Sequence, residues 1–307
     1  MKSPLALFAW SIVIIAILPH LCSAEENPLY AELVERGLAV GGQQLPLTKP
    51  TLPDGLDAAA QRAALAPLST SSHPLEAIVR NSVVAPVVVD LDKQSLGPGA
   101  TSTLRKLDSW FVVYAPLDKL SDEMFLKGQF DTELKTSDPD EVMRLEELPL
   151  ASLGPIGAAA DSRHEKYFYA RVRLFERVQI GSTLRSWCSR TDESLTVALV
   201  LDTRFERDAQ HPNVWQSIER RGTKSSLSAE THSLPGVGGY VKATRLHEPA
   251  GAVLVETHLV FEEPRGWFNG ANLLASKLPM LSQDGARKFR RRVVDDTAQA
   301  ASAPHRR

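Results

Sequence analysis

Apolar and polar residues alternate along this chain with two different periods. From Glu165 to Glu262 the period is two. In "EKYFYARVRLF", Phe168, Ala170, Val172 and Leu174 alternate with Tyr167, Tyr169, Arg171 and Arg173, the pattern of a strand with one buried face. "VQIGSTLRSWCS", "SLTVALVLDTRF", the short "NVWQSIER", "GGYVKATRL" and "AVLVETHLVFE" read the same way. The first two of these predict a hairpin around Arg190–Glu193, and the last two a hairpin turning at "HEPAG". Upstream, "LDSWFVVYA" (107–115) is a strand, and "SVVAPVVVDLD" is an edge or a strand start because Pro86 lacks an amide donor. Near residue 269 the period changes to that of a helix. Leu274, Leu278, Leu281, Gly285, Phe289 and Val293 form one stripe, widened by Leu273, Met280 and Ala286, which predicts a helix from about Asn269 to Val294. Pro279 predicts a kink near Ala275–Leu278.

The remaining segments are shorter. Asn27–Gly37 reads as a helix stopped by glycine. "GGQQLPLTKPTLPDG" reads as an extended linker, followed by a helix capped by Asp54 and a further helical turn opened by Pro74. Lys119–Lys127 and "SDPDEVMRLEEL" predict two helices, the second capped by Asp138 with Pro139 in its first position. "PLASLGPIGAAADS" predicts a long loop. The expected layout is therefore a leader at 1–24, N-terminal helices and linker at 25–81, an α+β domain at 82–294 and a disordered tail at 295–307.

From residue 107 the order is strand, helix, helix, six strands, long helix. In that order the chain resembles the START-like, Bet v1-type helix-grip fold. The resemblance implies a curved antiparallel sheet of six to eight strands packed on the long C-terminal helix, with an apolar cavity between them. An eight-stranded up-and-down barrel is the alternative, although a closing helix of this length is unusual for it. Separately, "GGYVKATRLHEPAGAVLVETHLVFEEP" with "GWFNGANLLASKLP" is similar to a group of uncharacterised exported proteins of planctomycete type, a likeness that supplies no function.

Composition adds location rather than chemistry. The chain has 307 residues, 43% hydrophobic and 23% charged, with a net charge of −2, so no global field recruits nucleic acid or anionic lipid. Lys2, an apolar run from Leu5 to Leu18 and Cys22-Ser23-Ala24 form a leader with a cleavage site after Ala24, which predicts export to the periplasm or beyond. The run is shorter than the roughly 20 residues that span a bilayer. Cleavage would leave Cys188 as the lone cysteine, expected as a small buried apolar group.

Catalytic signatures are absent: there is no G-x-S-x-G, P-loop, H-E-x-x-H or paired C-x-x-C, and neither a metal nor a cofactor is expected. His73, His164, His211, His232 and His247 lack partners at metal-ligand spacing. Glu256 and His258 share one face of a strand, where a carboxylate and an imidazole can act as base and orienter. A four-residue turn puts Arg245 opposite Leu254 and diagonal to Glu256, whereas a one-residue slip puts Lys242 opposite Glu256. Arg245, Glu256, His258 and Trp187 are the candidate ligand contacts. The plain reading is a sheet face held by ion pairs. The stretch from Arg220 to Gly239 is long enough for an entrance or lid.

Trp267, Phe268, Arg290 and Arg291 form the candidate interface, which leaves peripheral membrane contact open and offers nothing to nucleic acid, because no aromatics interleave the basic run. Nothing in the sequence sets an oligomeric state. The first expectation is an exported, non-catalytic binder of an apolar or amphipathic small molecule. The others are an envelope scaffold, and a hydrolase or lyase using Glu256 and His258.

Overall fold

Long antiparallel strands dominate because each alternating run finds a neighbour whose apolar positions line up with its own. The computed structural model describes residues 26–122, 143–160, 164–221, 224–268 and 271–302. Ahead of the main sheet lie α1 (Pro28–Glu35), a small hairpin of β1 (Leu38–Val40) and β2 (Gln43–Leu45), α2 (Ala58–Leu65) and the single-turn α3 (Leu75–Ile78). Then come β3 (Val88–Ser95), β4 (Ser102–Tyr114), the one-turn α4 (Leu117–Leu120), β5 (Met143–Leu148) and α5 (Pro155–Ala159). The sheet continues with β6 (Glu165–Leu174), β7 (Val178–Arg190), β8 (Ser194–Leu201), β9 (Val214–Arg221), β10 (Lys224–Leu227), β11 (His232–Ser233), β12 (Val237–Arg245) and β13 (Ala252–Pro264), and α6 (Leu273–Ser302) closes the chain.

The main sheet is antiparallel, with the order β10-β9-β7-β8-β12-β13-β4-β3; β6 pairs with β7, β5 with β6, and β11 with β9. With its short edge strands it holds eleven strands among the described residues, more than the six to eight expected. The architecture is α+β, an antiparallel sheet packed on a long C-terminal helix.

The inner face of the sheet carries Phe111, Val255, Leu259, Val241 and Val197, and the helix stripe of Leu274, Leu278, Leu281, Phe289 and Val293 packs onto it. Met280 departs from the expected stripe and is 48% exposed. The helix runs on to Ser302, past the expected end at Val294. It is also tied by polar contacts: the Gln283 amide accepts from Val87 N at 3.0 Å and donates to Ala85 O at 3.0 Å.

The outer face is covered as well. One apolar cluster joins Leu29, Leu33, Leu38, Val40 and Leu47 of the N-terminal segment to Trp187, Ala198, Tyr240 and Val260. A second joins Leu52, Leu65, Leu75 and Ile78 to Trp110, Val112 and Leu254. The stretch read as a free linker is thus an arm laid along the sheet. Gly37 turns it at a φ of +85°, where a side chain would strike the Leu45 carbonyl. The α2 cap is Asp57 rather than Asp54, its carboxylate accepting from Ala60 N at 2.8 Å.

Met143–Leu148 corrects the second expected helix. It is a strand in register with β6, Leu148 facing Tyr167, and it buries Leu148 with Tyr167, Tyr169 and Phe205. That pairing outweighs the local helix preference of "EVMRLEEL". Asp138, Pro139 and the end of the helix expected at Lys127 lie outside the described residues. Cys188 is buried as expected.

Leu278→Ala and Phe289→Ala are expected to lower the unfolding free energy by about 2–5 and about 3–5 kcal/mol respectively, because both side chains are fully buried. Met280→Ala should stay within about 0.5 kcal/mol. Denaturant titration checks all three, and an equal loss at Met280 would contradict the observed helix face.

Candidate functional site

Strand alternation sends Glu256 and His258 to the outer face, between β12 and β4. Lys242 sits opposite Glu256, and Arg245 opposite Val253, so the slipped register is the one adopted. The turn occupies residues 246–251, longer than the four residues assumed. Arg245 is exposed and is therefore not a partner of the pair. On the other flank, Trp110 faces Glu256 and Asp108 faces His258.

His258 is gripped from both sides. Nδ1 lies 2.7 Å from Asp108 Oδ1, and Nε2 lies 3.1 Å from Glu256 Oε2. The side chains of His258 and Glu256 are completely buried. Burial alone pushes the imidazole toward its neutral form, but the hydrogen bonds and charges of Asp108 and Glu256 outweigh it and hold the pKa above the ordinary 6.5. The shift favours the charged form of an imidazole placed between the Asp108 and Glu256 side chains.

The arm closes over this triad. Thr48 Oγ1 donates to both Asp108 oxygens at 3.0 and 2.9 Å, and Thr51 N donates to Glu256 Oε2 at 2.7 Å. Trp110 Nε1 donates to Thr51 Oγ1 at 2.8 Å, and the Tyr240 hydroxyl to Thr48 O at 2.6 Å. Lys242 Nζ turns toward the arm, donating to Leu52 O at 2.9 Å and Asp54 Oδ1 at 2.7 Å. Burial pushes the Asp54 carboxyl up, yet the bonds from Lys242, Thr191 and Ser194 hold it below its usual range. Burial, with the charge of Glu256, raises Tyr240 far above the usual phenol range, and Tyr30 to about 12.

Both nitrogens of His258 are thus occupied and the pair meets no solvent, so the cluster has no face from which to act on a substrate. It is a polar tie between arm and sheet. Asp108 was the residue missed. Its signal was its place on the 107–115 strand, an alternate position sharing a face with Trp110.

The cavity lies on the opposite face. Leu107, Leu259 and Phe261 form one wall, Leu174 and Ile180 another, and Trp267 closes it; its volume is roughly 40 Å³. Leu234 and Gly236, from the stretch expected to be an entrance, also line it. Trp187 corrects the ligand-contact expectation: it packs on the outer face against the arm and stacks on His164 at 5.2 Å. Trp267 and Phe268 correct the interface expectation, being only 4% and 5% exposed within the main core. Arg290 corrects it too. It is buried, donates to Val112 O at 2.8 Å and Ala85 O at 2.6 Å, and burial and nearby Arg287 lower its pKa to about 10. Arg291 alone of that set is exposed. Among the described residues, no group of three or more His, Cys, Asp or Glu is arranged to hold a metal.

Several buried polar atoms on the inner side lack hydrogen-bond partners: the hydroxyls of Ser182, Ser186 and Thr257, and Trp267 Nε1. Ser182 and Ser186 share their face with Ile180 and Leu184, and Thr257 shares its face with Leu259, so all three hydroxyls are on the helix side of the sheet.

No protein-family model matches the chain, and no curated protein matches it. Among solved structures it is similar to the human StarD13 (DLC2) lipid transfer and protein localization domain, at 12% identity and a TM-score of 0.35, covering 67% of this chain and 84% of that one. It is similar to human STARD10 at 10% identity and a TM-score of 0.35, covering 81% and 89%. An uncharacterized protein from Rhizobium leguminosarum matches at 9% identity and a TM-score of 0.31, covering 67% and 99%. Superpositions this loose carry neither ligand nor activity.

The raised His258 pKa fixes the sign of a pH effect. Its stabilising contribution is complete below the ordinary 6.5 and is lost as the pH climbs through the folded value. The melting temperature should therefore fall on the alkaline side of 6.5, and His258→Gln should flatten that slope. An unchanged slope in the variant would refute the assignment. His258→Ala should cost about 3–5 kcal/mol by leaving two buried carboxylates without their cation.

Proposed function

We propose that this protein is an exported, non-catalytic binder of an apolar or amphipathic small molecule, taken up between the inner face of the sheet and α6. The observation that carries this reading is an apolar cavity walled by Leu107, Leu259, Phe261 and Trp267, beside buried polar atoms that the protein leaves unpaired. A solid core has no use for such atoms, because each unpaired buried donor or acceptor costs about 1–3 kcal/mol.

A small-molecule site holds roughly 300–1,000 Å³, so on this proposal the cavity, near 40 Å³, widens when the ligand enters. Entry requires the wall at Leu234 to move, while the outer face, tied by the Asp108–His258–Glu256 cluster, stays in place. The arm and the cavity therefore serve different ends: one holds the sheet rigid, the other yields.

Export is part of the same proposal. It rests on the apolar run from Leu5 to Leu18 and the small residues before Glu25. Cleavage after Ala24 would remove Cys22, the other cysteine of the sequence. No helix among the described residues is long and apolar enough to cross a membrane.

Native mass spectrometry of the mature protein from its own source, followed by solvent extraction, tests the reading. The expected result is an N-terminus at Glu25 and an excess mass that solvent removes. A bare mass, together with no uptake of a neutral apolar fluorescent probe, would overturn it.

A further inference from the structure

Trp267 is the one strong hydrogen-bond donor whose side chain lines the cavity. Its indole is 4% exposed, and Nε1 has no partner. Trp267 is held firmly: it stacks on Phe261 at 6.4 Å and meets Trp215 edge-on at 6.5 Å and Phe268 at 6.0 Å. A buried indole N–H normally finds an acceptor. Here the protein supplies none.

Water is a poor candidate for the missing partner. The cavity has room for it, but an ordered water needs two to four polar contacts. Around that donor the walls offer leucine, isoleucine, valine and phenylalanine, and the one acid among them, Glu262, is already engaged by Gly41 N and the Ser102 hydroxyl. An oxygen attached to an apolar body meets both conditions, because its carbon skeleton fills the walls and its lone pair takes the N–H.

The charge of that oxygen follows from its surroundings. Glu262 is the only charged residue in the lining, and it is acidic; its carboxylate already accepts from Gly41 N at 3.1 Å and from the Ser102 hydroxyl. Arg105, buried opposite Phe261, is already paired with Glu263. Among the described residues the lining therefore offers no cation to a ligand carboxylate or phosphate, and an anion buried without one carries a large desolvation penalty.

We infer that the ligand is a neutral amphiphile, an aliphatic body bearing a hydroxyl or carbonyl oxygen, with that oxygen accepting a hydrogen bond from Trp267 Nε1. This rests on the proposed binding function and specifies its chemistry. The unpaired hydroxyls of Ser182 and Thr257, two residues along from Ile180 and Leu259, extend the same polar track along the inner face.

The test is displacement of a neutral apolar fluorescent probe from the full chain at neutral pH. The competitors are a long-chain fatty alcohol, the fatty acid of equal length and the matching alkane. The alcohol is expected to compete about three- to tenfold better than the alkane, as one net hydrogen bond implies, and better than the ionised acid. In Trp267→Phe the ratio of alcohol to alkane competition should fall to about one, whatever happens to probe affinity, because the indole donor is lost from a wall that both ligands share. A preference for the acid, or no difference between alcohol and alkane in the unmodified protein, would overturn the inference while leaving the binding function standing. Failure of the probe and all three competitors to bind would overturn the binding function itself.

Discussion

The sheet of this protein depends on a charge that it buries. His258 is held between Asp108 and Glu256 with no solvent at the ring, and their hydrogen bonds and charges favour its charged form. Buried titratable groups are tolerable only when they are paired. Thr48, Thr51 and the Trp110 and Tyr240 side chains add to the pairing by binding the arm across the cluster, which leaves Glu256 Oε1 as its one oxygen without a partner. Remove the arm, and two carboxylates lose their donors. The arm and the ionic cluster are therefore one device, in which the sheet supplies the charges and the arm keeps water out.

That device frees the other face. With the outer side closed by Leu29, Leu33, Leu47 and Leu52, the inner side is left to one long helix. The helix contributes a continuous stripe of fully buried leucines and Phe289, and Arg290 anchors it by donating to backbone carbonyls of the strand below. The arginine sits over the Phe111 ring at 5.6 Å, a cation placed where its charge meets carbonyl oxygens and a π face rather than an acid. Beside the residues packed on this helix, the apolar cavity lies against Trp267, Leu259 and Phe261. A face built from Val, Leu and Phe does not need Ser182, Ser186 and Thr257. Their unpaired hydroxyls are the part of the inner face that the protein alone does not satisfy, and they give the small-molecule reading its weight over a solid core.

Much of this was legible in the residues. The period-two runs marked the long strands, "HEPAG" marked the last hairpin, and Leu274 to Val293 marked the helix and the face it buries. Glu256 and His258 were visibly neighbours on one face. These features are local: strand and helix geometry repeat every two or 3.6 residues, so a single segment carries its own pattern.

What decides the meaning of those patterns is not local. Asp108 reaches His258 across 150 residues, and the arm reaches Glu256 across 205. Alternation says that two side chains share a face, but whether that face meets water, a ligand or another segment of the chain depends on what folds over it. The same limit explains the errors. "MRLEEL" has a helical preference that pairing with β6 overrides; Trp267, Phe268 and Arg290 look like an exposed patch until the sheet lies beneath them; and a slip of one residue in the last hairpin puts Arg245 opposite Val253 rather than Leu254, and Lys242 opposite Glu256. The sequence by itself determined which elements form and which of their residues lie together. Only the tertiary structure decided which face is sealed and which keeps a cavity, because burial is set by contacts between segments far apart in the chain, and one residue of register exchanges a strand's two faces.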